Sequence, residues 1–261
     1  MKRFLSLLLL VPLLAAAGLQ TACQGTTVTN AGEMGSWEFD KADFTRLDIS
    51  HAFVVDVQPA EEFRVNIKID SAVFEYLVVE KRGDTLHIGL ENGNTYLNTT
   101  QEATITLPLL KEVTLSGASR ADIGVFPGAS SLKLNLSGAS RADLATDNLQ
   151  EAQFDLSGAS RVNGSVGAAT FKLKLSGASS ANLDGNAGDM EIDASLGSTA
   201  DLKDLPVTTA RLDLSGASTA FINVSDLINA KLSGASVVTY LGDPKFDNLD
   251  ISGASNIRPA K

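Results

Sequence analysis

Two short runs of charge are the residues in this chain whose types and spacing could do chemistry. Arg120, Arg141 and Arg161 recur at steps of 21 and 20 residues, and Asp122 and Asp143 stand two places after the first two. Stacked guanidinium groups suit an extended acidic or hydroxyl-rich chain. Paired carboxylates could serve as acid and base in glycoside cleavage, or as calcium ligands beside a basic residue. The acid series turns to Asn163 and Asn182, and the arginines sit alongside to neutralise the acids. Binding is therefore the better expectation. The five residues Arg120, Arg141, Arg161, Asp122 and Asp143 form the candidate ligand face. The plainer alternative is an alternating surface charge ladder in which each pair contributes little. The arginines stop after Arg161, where Ser180, Thr199 and Thr219 follow, as suits a site of finite size.

Other chemistry finds less support. The chain has two histidines, His51 and His87, and neither sits in a Cys or Asp motif. A serine nucleophile needs a base and an orienting group. No metal-ligand spacing, phosphate loop or nucleotide fingerprint occurs, so neither metal nor cofactor is expected. Aromatic platforms for sugars are few: Trp37, Tyr76, Tyr96 and Tyr240. Phe221 falls in the outward Asp/Asn series and is a weak contact candidate.

The charged residues are positioned by a repeat. Ser-Gly-Ala-Ser begins at Ser116, Ser137, Ser157, Ser176, Ser215, Ser233 and Ser252, with a degraded copy at Ser195-Leu196-Gly197-Ser198. A period near 20 residues is too short for a helix pair and suits one coil of a β-solenoid. Within a repeat, apolar and polar residues alternate, as in a half-buried strand. Leu132, Leu134, Leu136, Gly138, Ser140, Ala142 and Leu144 share the inward parity. The narrowing from Leu to Gly, Ser and Ala marks a corner. Stacking turns each position into a column, so Leu115, Leu136, Leu156, Leu175, Leu214, Leu232 and Ile251 should form one buried stack. With strands roughly 4.8 Å apart, eight coils make a rod on the order of 40 Å long.

The second Ser of each motif, from Ser119 to Ser255, keeps the inward parity and needs a hydrogen-bond partner from the backbone or the next coil. The first Ser, from Ser116 to Ser252, faces outward. That column either solubilises the sheet or grips a repetitive ligand such as a glycan. Residues 112–261 are expected to form regular coils and residues 37–111 irregular ones, within a single all-β domain spanning 37–261. Ile49-Ser50-His51-Ala52-Phe53 occupies the place of a Leu-Ser-Gly-Ala-Ser, with His51 at the inward Gly position. Further strands are expected near Phe63–Ile69, Tyr76–Glu80, Thr85–Leu90 and Ala103–Leu107, and no long helix.

The start of the chain predicts export. Met1-Lys2-Arg3, an apolar run to Leu19 and the small Thr21-Ala22 read as a signal peptide over residues 1–22. Cys23, the only cysteine, is the expected lipidation site, and residues 23–36 read as a polar tether. Removing residues 1–22 leaves 19 basic residues against 31 acidic ones. Nucleic acid is not an expected partner, and the membrane is reached only through the lipid.

Phe44-Thr45-Arg46-Leu47-Asp48-Ile49-Ser50-His51-Ala52-Phe53-Val54-Val55-Asp56-Val57 opens a series of motifs. Gly83-Asp84-Thr85-Leu86-His87-Ile88, Ile105-Thr106-Leu107-Pro108 and the repeated Leu-Ser-Gly-Ala-Ser follow. In that order they resemble the putative auto-transporter adhesin head GIN domain family, which usually has Gly where this chain has His51. The resemblance covers about Trp37 to the C-terminus. It implies a right-handed parallel β-helix on secreted or surface lipoproteins of Gram-negative bacteria, with no established activity and no functional residues to carry over, and the outer membrane is the expected place of the anchor. The expected role is non-catalytic surface binding of adhesion type, toward a glycan or an envelope protein. The alternatives are an envelope scaffold, which an exposed edge or apolar end would favour, and a degenerate polysaccharide-cleaving enzyme.

Overall fold

The computed structural model describes residues 25–30 and 32–260; Cys23 and the segment before it lie outside them. The alternating sequence does what its period requires. Strands Glu112–Leu115, Ser131–Leu136 and Leu149–Leu156 stack in parallel, with Leu115 beside Leu136 and Leu136 beside Leu156. From there Arg161–Leu175, Ser180–Ala194, Thr199–Leu214 and Thr219–Leu232 each run from one Ser-Gly-Ala-Ser corner to the next. Eight corners bound about seven turns of a β-solenoid. The inward column reads Ile88, Ile49, Leu115, Leu136, Leu156, Leu175, Ala194, Leu214, Leu232, Ile251. Every member but Ile251 is at most 2% exposed. Burying each Leu or Ile contributes about 1.5–3 kcal/mol, and most of that burial comes from the coils above and below. Coils of unequal length stay in register through bulges, one at Lys203–Leu205 and one at Asp247.

The corners hold one correction. The motif glycine was read as inward-facing, but Gly138 and Gly158 are exposed, on the outside of the bend. Their role is backbone geometry. Gly158 has φ +71°, and a Cβ there would meet the Gly138 carbonyl oxygen at 2.6 Å. That close approach lets Ala159 N–H donate to Gly138 O at 2.7 Å, one corner stacked on the last. In the degraded copy Leu196 takes the glycine place, with φ +67°, a left-handed conformation that a β-carbon disfavours.

The inward serines behave as expected. Ser119, Ser140, Ser160, Ser179, Ser198, Ser218 and Ser236 are buried. Most close back on their own corner: Ser140 Oγ donates to Ser137 O and Ser160 Oγ to Ser157 O, each at 2.8 Å. Only Ser198 and Ser218 meet hydroxyl to hydroxyl, at 3.4 Å.

The stretch read as irregular coils divides in two. Arg46–Ile49 and Val54–Pro59 form a coil in register beneath Glu112–Leu115 and Arg120–Ile123, turning at His51-Ala52 with φ +61° and +59°. The remainder is largely antiparallel. Arg64–Asp70 pairs with Gln101–Leu107 and Met34–Glu38, and Leu77–Arg82 pairs with Thr85–Leu90 across the Gly83-Asp84 turn. These strands close the N-terminal end over Phe44, Phe53 and Val73, with Trp37 stacked on Phe74 at 4.0 Å. Among the described residues one 3-10 turn, Ser71–Tyr76, is present, capped by Asp70 Oδ1, which accepts from Ala72 N–H at 2.9 Å. The segment read as a tether contributes Thr27–Thr29, parallel to Thr95–Leu97, and the start of Met34–Glu38. The C-terminal end is different. Phe246, Leu249 and Ile251 of the last coil point along the inward columns yet stand 40%, 44% and 39% exposed.

Candidate ligand face

The side of each coil after the corner carries the predicted charges. Arg120, Arg141 and Arg161 lie in direct register, followed by Ser180, Thr199 and Thr219. Beside them run Asp56, Asp122, Asp143, Asn163, Asn182, Asp201 and then Phe221. The sheet therefore places three like cations in one column and three like anions in the next. Like charges directly opposite each other across a strand pair are destabilising. The expected Arg–Asp pairing does not form: none of the three arginines makes an ion pair among the described residues. Arg161 Nε instead donates to Ser180 Oγ at 3.1 Å, and Asp143 Oδ1 accepts from Asn163 Nδ2 at 2.7 Å.

The side before the corner shows what a structural ladder looks like in this rod. There Arg46, Glu112 and Lys133 alternate in sign up one column and pair at 3.7 and 3.5 Å. Further along, Arg211 meets Glu191 at 3.8 Å and Lys172 meets Glu151 at 2.6 Å, which raises the lysine pKa. The fold thus pairs some charges on both sides of the corner, Asp201 with Lys203 at 2.9 Å among them, while the three stacked guanidinium groups make no ion pair among the described residues.

The outward serines edge a groove that sequence reading did not find. Ser137, Ser157, Ser176 and Ser195, with Asn135, Asp155, Lys174 and Asp193, line a trough of about 400 Å³ along the same corner. The arginine column begins directly beyond that corner. Phe221 is exposed as expected, at 37%. The other candidate aromatics pack on neighbouring rings: Tyr96 on Tyr76 and His51, and Tyr240 on Phe246.

The family model "Putative auto-transporter adhesin, head GIN domain" matches residues 43–244. The chain belongs to the GIN-domain family. No curated protein matches this GIN domain. Its coils superimpose on the crystal structure of a putative adhesin from Parabacteroides merdae at 16% identity and TM-score 0.79, covering 91% of this chain and all of that one. A putative lipid binding protein from Parabacteroides distasonis gives TM-score 0.80 at 16% identity, over 90% of this chain and all of that one. A putative adhesin from Bacteroides fragilis gives 0.60 at 16%, over 89% and all. At such identities the likeness is one of fold.

Two histidines of the GIN domain are better connected than the sequence suggested. His87 Nδ1 lies 3.0 Å from Asp48 Oδ2, although 39 residues separate them, because stacking puts their strands side by side. His51 does not face the core; it is half-buried at the outside of its corner. The signal that could have found the first pair is the register of the irregular coil, Asp48 beside His87.

Proposed function

We propose that this GIN-domain protein is a surface binding protein of adhesion type that holds an extended acidic chain, such as a polyuronate, along one corner of its rod. The unpaired arginine column carries this reading. Three guanidinium groups at one coil rise, roughly 4.8 Å, offer forked donors to successive anionic groups of a chain laid parallel to the axis. The serine-lined trough on the other side of the corner adds hydroxyl and amide partners. The proposed anchor is a lipid on Cys23 at the outer membrane, which would set the rod at the cell surface. The three arginines also explain how a chain of acidic balance could hold an anion: attraction between charges is local at physiological salt, where screening acts within about 8 Å.

Replacing Arg120, Arg141 and Arg161 with serine is expected to leave folding intact, or slightly firmer, because three stacked like charges are removed. Binding of alginate oligomers, followed by calorimetry, should weaken about tenfold or more, and wild-type binding should fall with added salt. Equal binding by the triple variant, or none by wild type to acidic and neutral glycans alike, would refute the reading.

The exposed end favours a second role, as an envelope scaffold. Phe246, Leu249 and Ile251 offer an apolar cross-section beside an open strand edge, to which a protein partner could add a strand. If a second copy fills that place, sedimentation should show mass rising with concentration and falling back in Leu249→Lys. A monomer at every concentration would remove self-association as the use of this end.

A further inference from the structure

Both histidines of the chain line one pocket of about 650 Å³ near the N-terminal end, together with Asp48, Ser50, Glu80, Arg82, Glu91 and Asn92. Ser50 belongs to the outward serine column, but its corner differs from the others. His51 occupies the place that glycine holds in most copies, and does so at φ +61°. A non-glycine residue in that conformation carries strain that the surroundings must offset. Here they secure the imidazole. Ser50 Oγ lies 2.8 Å from His51 Nδ1, and the backbone N–H of Leu90 donates to the same nitrogen at 3.3 Å. A nitrogen that accepts an N–H carries its lone pair, so the ring is neutral with the proton on Nε2, and the Ser50 hydroxyl donates to Nδ1. Burial lowers the His51 pKa, which favours the neutral ring, and Asn92 lines the same pocket. Gly89 makes the room: a Cβ there would collide with Ser50 Oγ and lie 3.1 Å from His51 Nδ1. Beside this pair stands the second one, His87 Nδ1 at 3.0 Å from Asp48 Oδ2.

We propose that Ser50 is an activated nucleophile, with His51 as its general base, that accepts the acyl group of a short ester. The parts are a hydroxyl, a neutral base in contact with it, a backbone N–H that holds the base, and an open polar pocket beside them. Ser50 Oγ attacks the ester carbonyl carbon as its proton passes to His51 Nδ1. The carbon–oxygen bond to the alcohol then breaks, and the departing alkoxide takes that proton, leaving acyl-Ser50. Water, deprotonated by the same nitrogen, attacks the acyl carbon; the carboxylic acid leaves and the proton returns to Ser50. His87, held by Asp48, lines the same pocket. The polar lining suits a small acyl group on a hydroxyl-rich alcohol, such as an O-acetyl sugar, over a lipid ester.

The test uses the full chain with p-nitrophenyl acetate and with a fluorophosphonate probe, the labelled residue being found by peptide mass spectrometry. Label is expected on Ser50 well above that on Ser116 of the next corner, and Ser50→Ala should abolish both the label and the release of p-nitrophenol. The informative variant is His51→Gly. It installs the residue most other corners use, so its thermal midpoint should hold or rise, while the reaction at Ser50 falls about a hundredfold. No label on Ser50, label no greater than on Ser116, or an unchanged rate in folded His51→Gly would each overturn the proposal. None of these results bears on the arginine column, which lies on the other side of the corner.

Discussion

Leu156→Asp is expected to lower the stability of the rod by about 4 kcal/mol or more. Leu156 is 2% exposed and sits between Leu136 and Leu175 in the inward column. A carboxylate placed there has apolar side chains above and below. It must stay unpaired or take up a proton, and either choice is costly. In a stack whose stability lies in nearest-neighbour contacts, both interfaces of that coil are lost together. The neighbouring substitution Ser157→Ala is the contrast. Ser157 points outward, and its hydroxyl makes only a 3.4 Å contact with Leu136 O, so its loss should cost well under ~1 kcal/mol. Urea midpoints compare the two. Equal losses would mean that the inward and outward columns are assigned the wrong way round.

Gly164→Ala should cost about 3 kcal/mol or more. Gly164 has φ +129°, outside the left-handed well that other residues can reach, and a Cβ there would run into the Leu144 carbonyl of the coil before. The side chain would add conformational strain and a backbone clash at one point. Nothing flexible can move aside, because the obstructing atom belongs to the neighbouring strand. The reverse change at the degraded corner, Leu196→Gly, should gain about 1 kcal/mol by relieving a left-handed leucine that is 65% exposed and buries little. Denaturant midpoints again decide; a neutral Gly164→Ala would show that the coils can slide apart at that position.

The regular coils were readable because two periods reinforce each other. Leu132, Leu134 and Leu136 mark a face by alternation, and the return of the same tetrapeptide fixes which coil lies on which. Register followed directly, so Arg120 stacks on Arg141 and Asp122 on Asp143 as expected. Two things did not follow. Counting parity through a bend put Gly138 inside, whereas a tight turn swings its second residue outward before the alternation resumes. And register places backbones, not side chains: whether Arg141 reaches an aspartate depends on torsions no repeat encodes. At the N-terminal end the repeat decays, so only the register of the irregular coil, and no motif, pointed to Asp48 and His87 as neighbours. The antiparallel pairing of Arg64–Asp70 with Gln101–Leu107 was hidden for the same reason, since alternation marks a strand without saying which way its partner runs.

The two ends of the rod bear on how it comes apart. One is closed by crossed strands over buried phenylalanines; the other finishes in a coil with 39–44% exposure at Phe246, Leu249 and Ile251. In a linear array the weakest terminal unit opens first and exposes the next. Amide hydrogen exchange should therefore run as a gradient along the axis, fastest in Lys245–Pro259 and slowest toward the closed N-terminal coils. Such a molecule loses its native state in one direction, and a ligand bridging Arg120, Arg141 and Arg161 would slow that retreat only once it reached the third of them.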